Sequence, residues 1–404
     1  MAWDFSAQSF VLGLLAGGIT TAALLFLGAL VVFRASNSSS LGHWKLNLKT
    51  PISSMWINLG FWKTRDGKAI RNFDQATRAL LEQIVDTAGL LVTGEGEAAA
   101  AAAAATTTTT TTATATTATA AAAAAAAVVR KRAEGIAVLD LGFGCGDQTI
   151  ALMEMLRAHE PRRFRYVGLT LDGAQVQTAQ RRLDSAVAGR SDNDDNNDND
   201  DDDAAAAAGR AVRALVQGDS SASSVKLLRA DAARPETWSP VVRASVHSLA
   251  DGACFPERWL LALDCLYHFS PSRRPAFRLA AQTLDAHLMA FDLLLDPAAS
   301  RWNTCAVRLV GLVMGCPLHT FLTEAQYRQQ LVECGYDGAR IEVRDVSDDV
   351  FAGVAGYLRR QDAALGQYGI SLGGFKLAGR LFEWFDRTRV VKAVIVVART
   401  RAKL

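Results

Sequence analysis

The side chains best placed to do chemistry are few. "VLDLGFGCGDQT", Val138 to Thr149, sets Gly142, Gly144 and Gly146 two residues apart behind Asp140. Glycines at such a turn let the backbone take positive φ and let a ligand approach with no Cβ in between. An apolar run precedes them and a helix-like stretch follows, the arrangement that holds a nucleotide-like ligand at the carboxyl end of a strand. The spacing is G-x-G-x-G, not the G-x-G-x-x-G of a dinucleotide fingerprint, and a lone glycine turn is weak evidence. Further along, His268 follows the apolar run "WLLALDC", and Asp292 closes the run from His287 to Leu294. On neighbouring strand ends, a His–Asp pair fixes a neutral imidazole as a general base. Tyr267 takes the base or hydrogen-bond role if His268 points away. His268 also reads as an ordinary rim residue, and Asp264 as a structural acid. Cys145 reads as a small filler, since no base stands beside it.

These residues need a frame, and the chain outlines one. Apolar, strand-like runs cover Ile136–Leu141, Arg165–Leu171, Val225–Arg229, Trp259–Cys265, His287–Leu294, Arg340–Val346 and Val390–Ala398. Helical patterns cover Gln148–Ala158, Ala174–Ala186, Arg274–Leu284 and Thr323–Cys334. The alternation, with strands apolar on both faces, predicts an α/β domain built on a mostly parallel sheet covered by helices. A segment from about Ala35 to Leu91 leads into it. Two low-complexity inserts interrupt it: the Ala/Thr tract Glu97–Ala127 and the acidic run Asp192–Asp203, within an insert spanning residues 190–210. The acidic run lacks the spaced ligands and turn glycine of a calcium loop and reads as a solvated loop.

The chain has 404 residues, a net charge of +2 and a mean hydropathy of +0.10. The charge gives no reason to expect a nucleic-acid partner. The six cysteines form no C-x-x-C pair, as expected of reduced residues in a reducing compartment. Phe10–Phe33 carries no charge over 24 residues, enough to cross a hydrocarbon core of about 30 Å. The expectation is one N-terminal transmembrane helix after a short tail, residues 1–9. Arg34, Lys45 and Lys49 follow it, which places residues 34–404 on the cytosolic side of a membrane.

The pattern D-x-G-x-G-x-G in "DLGFGCG" resembles motif I of class I S-adenosylmethionine-dependent methyltransferases. The resemblance continues in "VGLTLDGAQVQTAQRRL", "RADAARPETW", "LALDCLYHF" and "LTEAQYRQQLVECGYDGARIEVRDVSDDVF", and "MWINLGFWK" is similar to a segment preceding motif I. It is nearest to the branch acting on sugars, macrolides and related small molecules. It implies a Rossmann-like, mostly parallel seven-stranded sheet flanked by helices, with S-adenosyl-L-methionine as cofactor. Gly142, Gly144 and Gly146 would line its methionine and ribose, with Asp140 holding the loop. Asp231 and Ala232 would meet the adenine, and Asp264 joins the cofactor-binding set. The acid usual at the end of the second strand is replaced by Thr170 in "LTLD", so Thr170 or Gln175 would contact the ribose. His268 and Asp292 stand where sugar O-methyltransferases of this branch carry their His–Asp pair. Trp56, Phe61 and Trp62 would stack on substrate or pack the leading segment.

The expected activity is methylation, O-directed with a His/Asp base, of a small lipophilic or glycosylated metabolite or lipid. Carbon methylation or cyclopropane-type modification of a sterol or lipid is the alternative, and a membrane-bound scaffold keeping the fold is the non-enzymatic one. The amphipathic stretches Cys305–Met314 and Ile370–Phe385 are expected as substrate lid, membrane-surface helices or cover for the sheet.

Overall fold

A computed structural model describes residues 17, 20–28, 54–91, 134–157, 163–188, 224–367 and 371–401. Both predicted inserts lie outside these residues, as does most of the predicted Phe10–Phe33 span. Residues 20–28 are helical, with Leu24, Leu25 and Leu27 exposed. Among the described residues no helix is long and apolar enough to cross a membrane, so they lend the predicted span no support.

Seven strands form one sheet: β1 (Ile136–Leu141), β2 (Phe164–Thr170), β3 (Ser224–Arg229), β4 (Glu257–Leu263), β5 (His287–Leu295), β6 (Tyr336–Asp345) and β7 (Val391–Thr400). Their order is β3-β2-β1-β4-β5-β7-β6. β1 to β5 run parallel, and β7 inserts antiparallel between β5 and β6. The runs are continuous rather than alternating because helices cover both faces, so each side chain finds an apolar neighbour whichever way it points. In β1, Ile136 and Val138 enter one core layer while Ala137, Leu139 and Leu141 enter the other. The chain reverses direction across the sheet between β1 and β4, which opens a crevice at their carboxyl ends.

The expected helices form at nearly the expected bounds. α1 (Phe73–Thr87) was read only as part of a leading segment, yet it is a core element: Phe73, Ala76, Leu80, Leu81 and Ile84 are all buried. α2 (Asp147–Arg157) and α3 (Gly173–Ala188) follow β1 and β2, and α4 (Pro240–His247) precedes β4. Arg274–Leu284, expected as one helix, is a short α5 (Arg274–Arg278) that widens into a π turn over Leu279–Leu284. α6 (Arg301–Val313) follows β5. α7 (Glu324–Cys334) begins at a reciprocal cap in which the Thr323 hydroxyl accepts from the Gln326 amide and the Gln326 side chain accepts from the Thr323 amide. α8 (Phe351–Gly366) and α9 (Gly374–Thr388) pack on each other between β6 and β7.

Residues 55–63 cross the top of the sheet as a strap. The Trp62 amide donates to the Asp349 carbonyl at 2.7 Å, and its side chain packs on Gly353 of α8, where an added Cβ would lie 2.0 Å from the Trp62 Cγ. Trp56, Phe61 and Trp62 are all buried, so all three serve the packing role. Gly353→Ala should therefore destabilise the fold by about 1–3 kcal/mol despite the better helix propensity of alanine. Urea denaturation checks this; an unchanged or higher midpoint would show that the indole moves aside freely.

Candidate functional site

The turn after β1 is built on a buried acid. Asp140 is fully enclosed; it accepts from Tyr166 Oη at 2.6 Å and from Gln148 Nε2 at 2.8 and 2.9 Å. Burial pushes its carboxyl up to about 7, against the pull of those two donors. Asp140 thus lies beneath the loop, bonded to α2 and β2 and out of reach of a ligand in the crevice. Gly142, Gly144 and Gly146 all have positive φ, at 77°, 66° and 102°. They do three different jobs. Gly142 lines the crevice, and a Cβ there would meet the Cys265 Cβ at 3.1 Å. Gly144 faces Ile57 of the strap, and Gly146 lets α3 approach, its missing Cβ lying 3.0 Å from the Ala179 Cα. Of the three glycines expected to line a ligand, Gly142 lines the crevice. Cys145 is buried and its thiol is pushed up to about 11, which suits a filler.

The crevice is a cavity of about 750 Å3 at the carboxyl ends of β1 to β4. Such a volume accommodates a cofactor-sized ligand. One half is polar: Gly142, Thr170, Asp172, Gln175, Asp231 and Arg234 line it, with Ala232 and Ala233. Thr170 donates to Gln175 Oε1 at 2.6 Å, so the two residues form one polar edge at the end of β2. Asp231 accepts from the Ala233 amide at 2.9 Å through Oδ1, which orients the turn after β3. Asp172, Arg234 and Asn58 also face the cavity and were not singled out; Asp172 sits in the quoted "LTLD" and Asn58 in "MWINLGFWK", where type and place gave the only signal.

The strap closes this half. Ile57, Asn58 and Leu59 line the cavity, and the Leu59 amide donates to Asp264 Oδ2 at 2.8 Å. At its other end the Met55 amide donates to Asp147 Oδ2 at 3.2 Å, and Arg182 holds Asp147 Oδ1 at 2.6 Å. Asp264 takes a left-handed conformation, φ 59°, unusual for a residue with a side chain. Its Oδ1 accepts from Tyr267 Oη at 2.6 Å. Burial pushes the Asp264 carboxyl up to about 7 as well, although it faces the cavity and keeps some exposure there, whereas Asp140 has none. Asp264 is thus a cavity-facing latch.

The predicted catalytic residues separate. His268 lies exposed on the cavity wall, its Nδ1 3.5 Å from the Cys316 Sγ and its ring centroid 4.5 Å from that of Tyr267. Asp292 does not line the cavity. It is completely buried, ion-paired with Arg273, and its Oδ1 accepts from the Leu293 amide at 2.8 Å. Arg273 also donates to the Thr320 carbonyl, and both partners of the pair are enclosed. A guanidinium that neutralises the carboxylate and anchors the loop before α7 makes Asp292 a structural acid, which corrects its role in a His–Asp dyad. Of the two roles expected for Tyr267, the geometry favours the hydrogen-bond one: its phenol donates to Asp264, and burial and Asp264 hold it well above the usual range.

The other half of the cavity is apolar. Met314, Val354, Leu358, Leu372, Phe375 and Phe382 line it, the last five from α8, α9 and the segment before α9. The expected lid at Ile370–Phe385 is in this position, as a wall that also packs on the sheet.

No family model matches the chain, and no curated protein matches it. Solved structures do resemble it. The 4+2 cyclase SpnF aligns over 92% of this chain and 96% of its own, at 15% identity and a TM-score of 0.50. The cyclopropane synthase MmaA2 from Mycobacterium tuberculosis aligns over 92% and 98%, at 11% identity and a TM-score of 0.49. A geranyl diphosphate C-methyltransferase from Streptomyces coelicolor A3(2), solved with geranyl diphosphate and S-adenosyl-L-homocysteine, aligns over 69% and 80%, at 12% identity and a TM-score of 0.39. Identities this low speak to the fold alone. With the strand order, the likeness to SpnF marks the fold as that of class I methyltransferases.

The enclosed Asp140 generates a pH dependence. Its folded value of about 7 lies above its unfolded value of 3.8, so the folded state favours the protonated acid. Its contribution to stability is complete below about pH 4 and is lost as pH rises through about 7, at a slope of at most about 1.4 kcal/mol per unit. Asp140→Asn should flatten the denaturation midpoint between pH 4 and 7; a wild-type profile that rises steadily across that window would contradict the assignment.

Proposed function

We propose that the protein is an S-adenosylmethionine-dependent methyltransferase acting on a small, largely apolar acceptor. The observation that carries this reading is the single cavity at the ends of β1 to β4, polar on the glycine-turn side and apolar on the α8–α9 side. The residues present fit the cofactor. Gly142 lines the cavity at a φ of 77° where a Cβ would press on the Cys265 Cβ at 3.1 Å, Asp231 and Ala232 follow β3 where an adenine would lie, and Thr170 with Gln175 offers the ribose a polar edge. Bound there, S-adenosylmethionine supplies an already activated methyl group, which leaves the protein to orient and desolvate.

The residues of the chain divide that work. The strap excludes water above Gly142, and Asp264 pins it through Leu59. Phe375, Phe382, Leu358 and Met314 hold the acceptor by apolar contact. His268, the imidazole on the cavity wall, accepts the acceptor hydroxyl proton in an O-directed reaction, with Cys316 beside its Nδ1. A carbon-directed reaction is the second reading; it draws on the raised Asp264 and the aromatic lining of Phe73, Tyr267, Phe375 and Phe382, which suit a cationic centre. The proposed location is a membrane, with the catalytic domain on its cytosolic face, and its support is the charge-free Phe10–Phe33 run followed by Arg34, Lys45 and Lys49.

Calorimetry of the full chain with S-adenosylhomocysteine should give saturable binding that falls more than about 10-fold in Asp231→Ala and is lost in Gly142→Val. An absence of binding to wild-type protein would overturn the reading and favour a scaffold. With labelled S-adenosylmethionine and an extract of membranes and metabolites as acceptor source, His268→Ala should cut transfer by roughly 100-fold if oxygen is methylated. Full transfer in that variant would move the assignment to carbon.

A further inference from the structure

α6 (Arg301–Val313) turns most of its surface outward. Of the 13 residues Arg301–Val313, only Val307 and Gly311 are buried. Its outer side carries Trp302, 85% exposed, and Leu309, 45% exposed, with the exposed Cys305 between them. Residues three and four apart share a helix face, so Trp302, Cys305 and Leu309 form one apolar stripe facing out. Leu318, just beyond the helix, is 43% exposed. A tryptophan left in water is an unusual residue for a helix to present, and apolar groups gathered on one exposed face mark a contact surface.

The charges beside the stripe indicate what it contacts. From Pro297 to Thr323 the sequence contains no Asp or Glu, while Arg301 and Arg308 are both exposed. Neither arginine has an ion-pair partner among the described residues. An exposed tryptophan and leucines flanked by exposed arginines, on a helix without acids, match the interface of an anionic bilayer: the rings and aliphatic chains enter the acyl boundary and the guanidinium groups stay with the phosphates. The position of the helix gives the contact a use. Its C-cap residue Met314 lines the cavity, and Cys316 two residues on touches His268.

We propose that α6 seats the domain on an anionic membrane surface through Trp302, Leu309, Arg301 and Arg308, and so brings the apolar half of the cavity to a lipid-dissolved acceptor. The seat needs no membrane-crossing segment and does not depend on the identity of the cofactor, although its use for acceptor capture rests on the methyltransferase reading. Hydrogen exchange of the full chain, followed by mass spectrometry, tests it with vesicles of phosphatidylcholine containing phosphatidylglycerol and with vesicles of phosphatidylcholine alone. Amides of residues 301–313 should exchange several-fold more slowly on the anionic vesicles and change little on the neutral ones. Both Trp302→Ser with Leu309→Ser and, separately, Arg301→Glu with Arg308→Glu should abolish that slowing, and the charge-reversed pair alters only exposed side chains. The proposal is overturned if the full chain binds anionic vesicles with exchange in residues 301–313 unchanged, if the charge reversal leaves the slowing intact, or if the slowing appears without lipid as protein concentration rises, which would make the partner a second copy. Retained binding of S-adenosylhomocysteine in the same samples keeps failure of the seat distinct from failure of the methyltransferase reading.

Discussion

The enclosed carboxyl of Asp140 is the constraint around which the site is arranged. It binds Tyr166 from β2 and Gln148 from α2, and Tyr166 in turn meets Thr149 at 2.9 Å. Three elements that would otherwise touch only through apolar contacts are thereby fixed in register at one buried point. An unsatisfied carboxyl at that depth would be strongly destabilising, so its neighbours cannot shift without leaving it bare. The turn above inherits this rigidity, and the crevice wall at Gly142 is the result.

A second, looser layer rests on that one. The strap reaches Asp147 at the start of α2, Asp264 at the end of β4 and Asp349 before α8, so it is tied to three separate parts of the sheet. It converts an open crevice between β1 and β4 into a cavity with a polar and an apolar half. α1, which supplies the Thr77 carbonyl that Asn58 binds at 3.2 Å, keeps the strap at the right height.

Much of this was legible in the chain. The strands read correctly because continuous apolar runs flanked by helical patterns have few alternatives, and the glycine turn read correctly because its spacing leaves the backbone bare. Residues whose partners are distant in sequence did not read. Arg273 and Asp292 lie 19 residues apart and meet only once α5 has packed beside β5. No local pattern announces that the carboxylate at the end of β5 is already neutralised, and so Asp292 looked like the partner of His268. The three glycines looked equivalent for the same reason: whether a missing Cβ faces a cysteine, an isoleucine or another helix is decided by tertiary approach. The apolar period of α1, Phe73, Ala76, Leu80, Leu81 and Ile84, is that of a helix packed on a core, but its place beside the Ala/Thr tract, far in sequence from the strands it covers, gives no sign of which core it joins.

The latch between Leu59 and Asp264 has a kinetic consequence. A ligand beside Gly142 would share the cavity with Ile57, Asn58 and Leu59, so its exchange is coupled to the contacts at Met55 and Leu59. Two partly buried hydrogen bonds represent roughly 2 kcal/mol of net stability, enough to hold the lifted state to a few per cent of the population. The time a molecule spends in the crevice then depends on how often the strap rises.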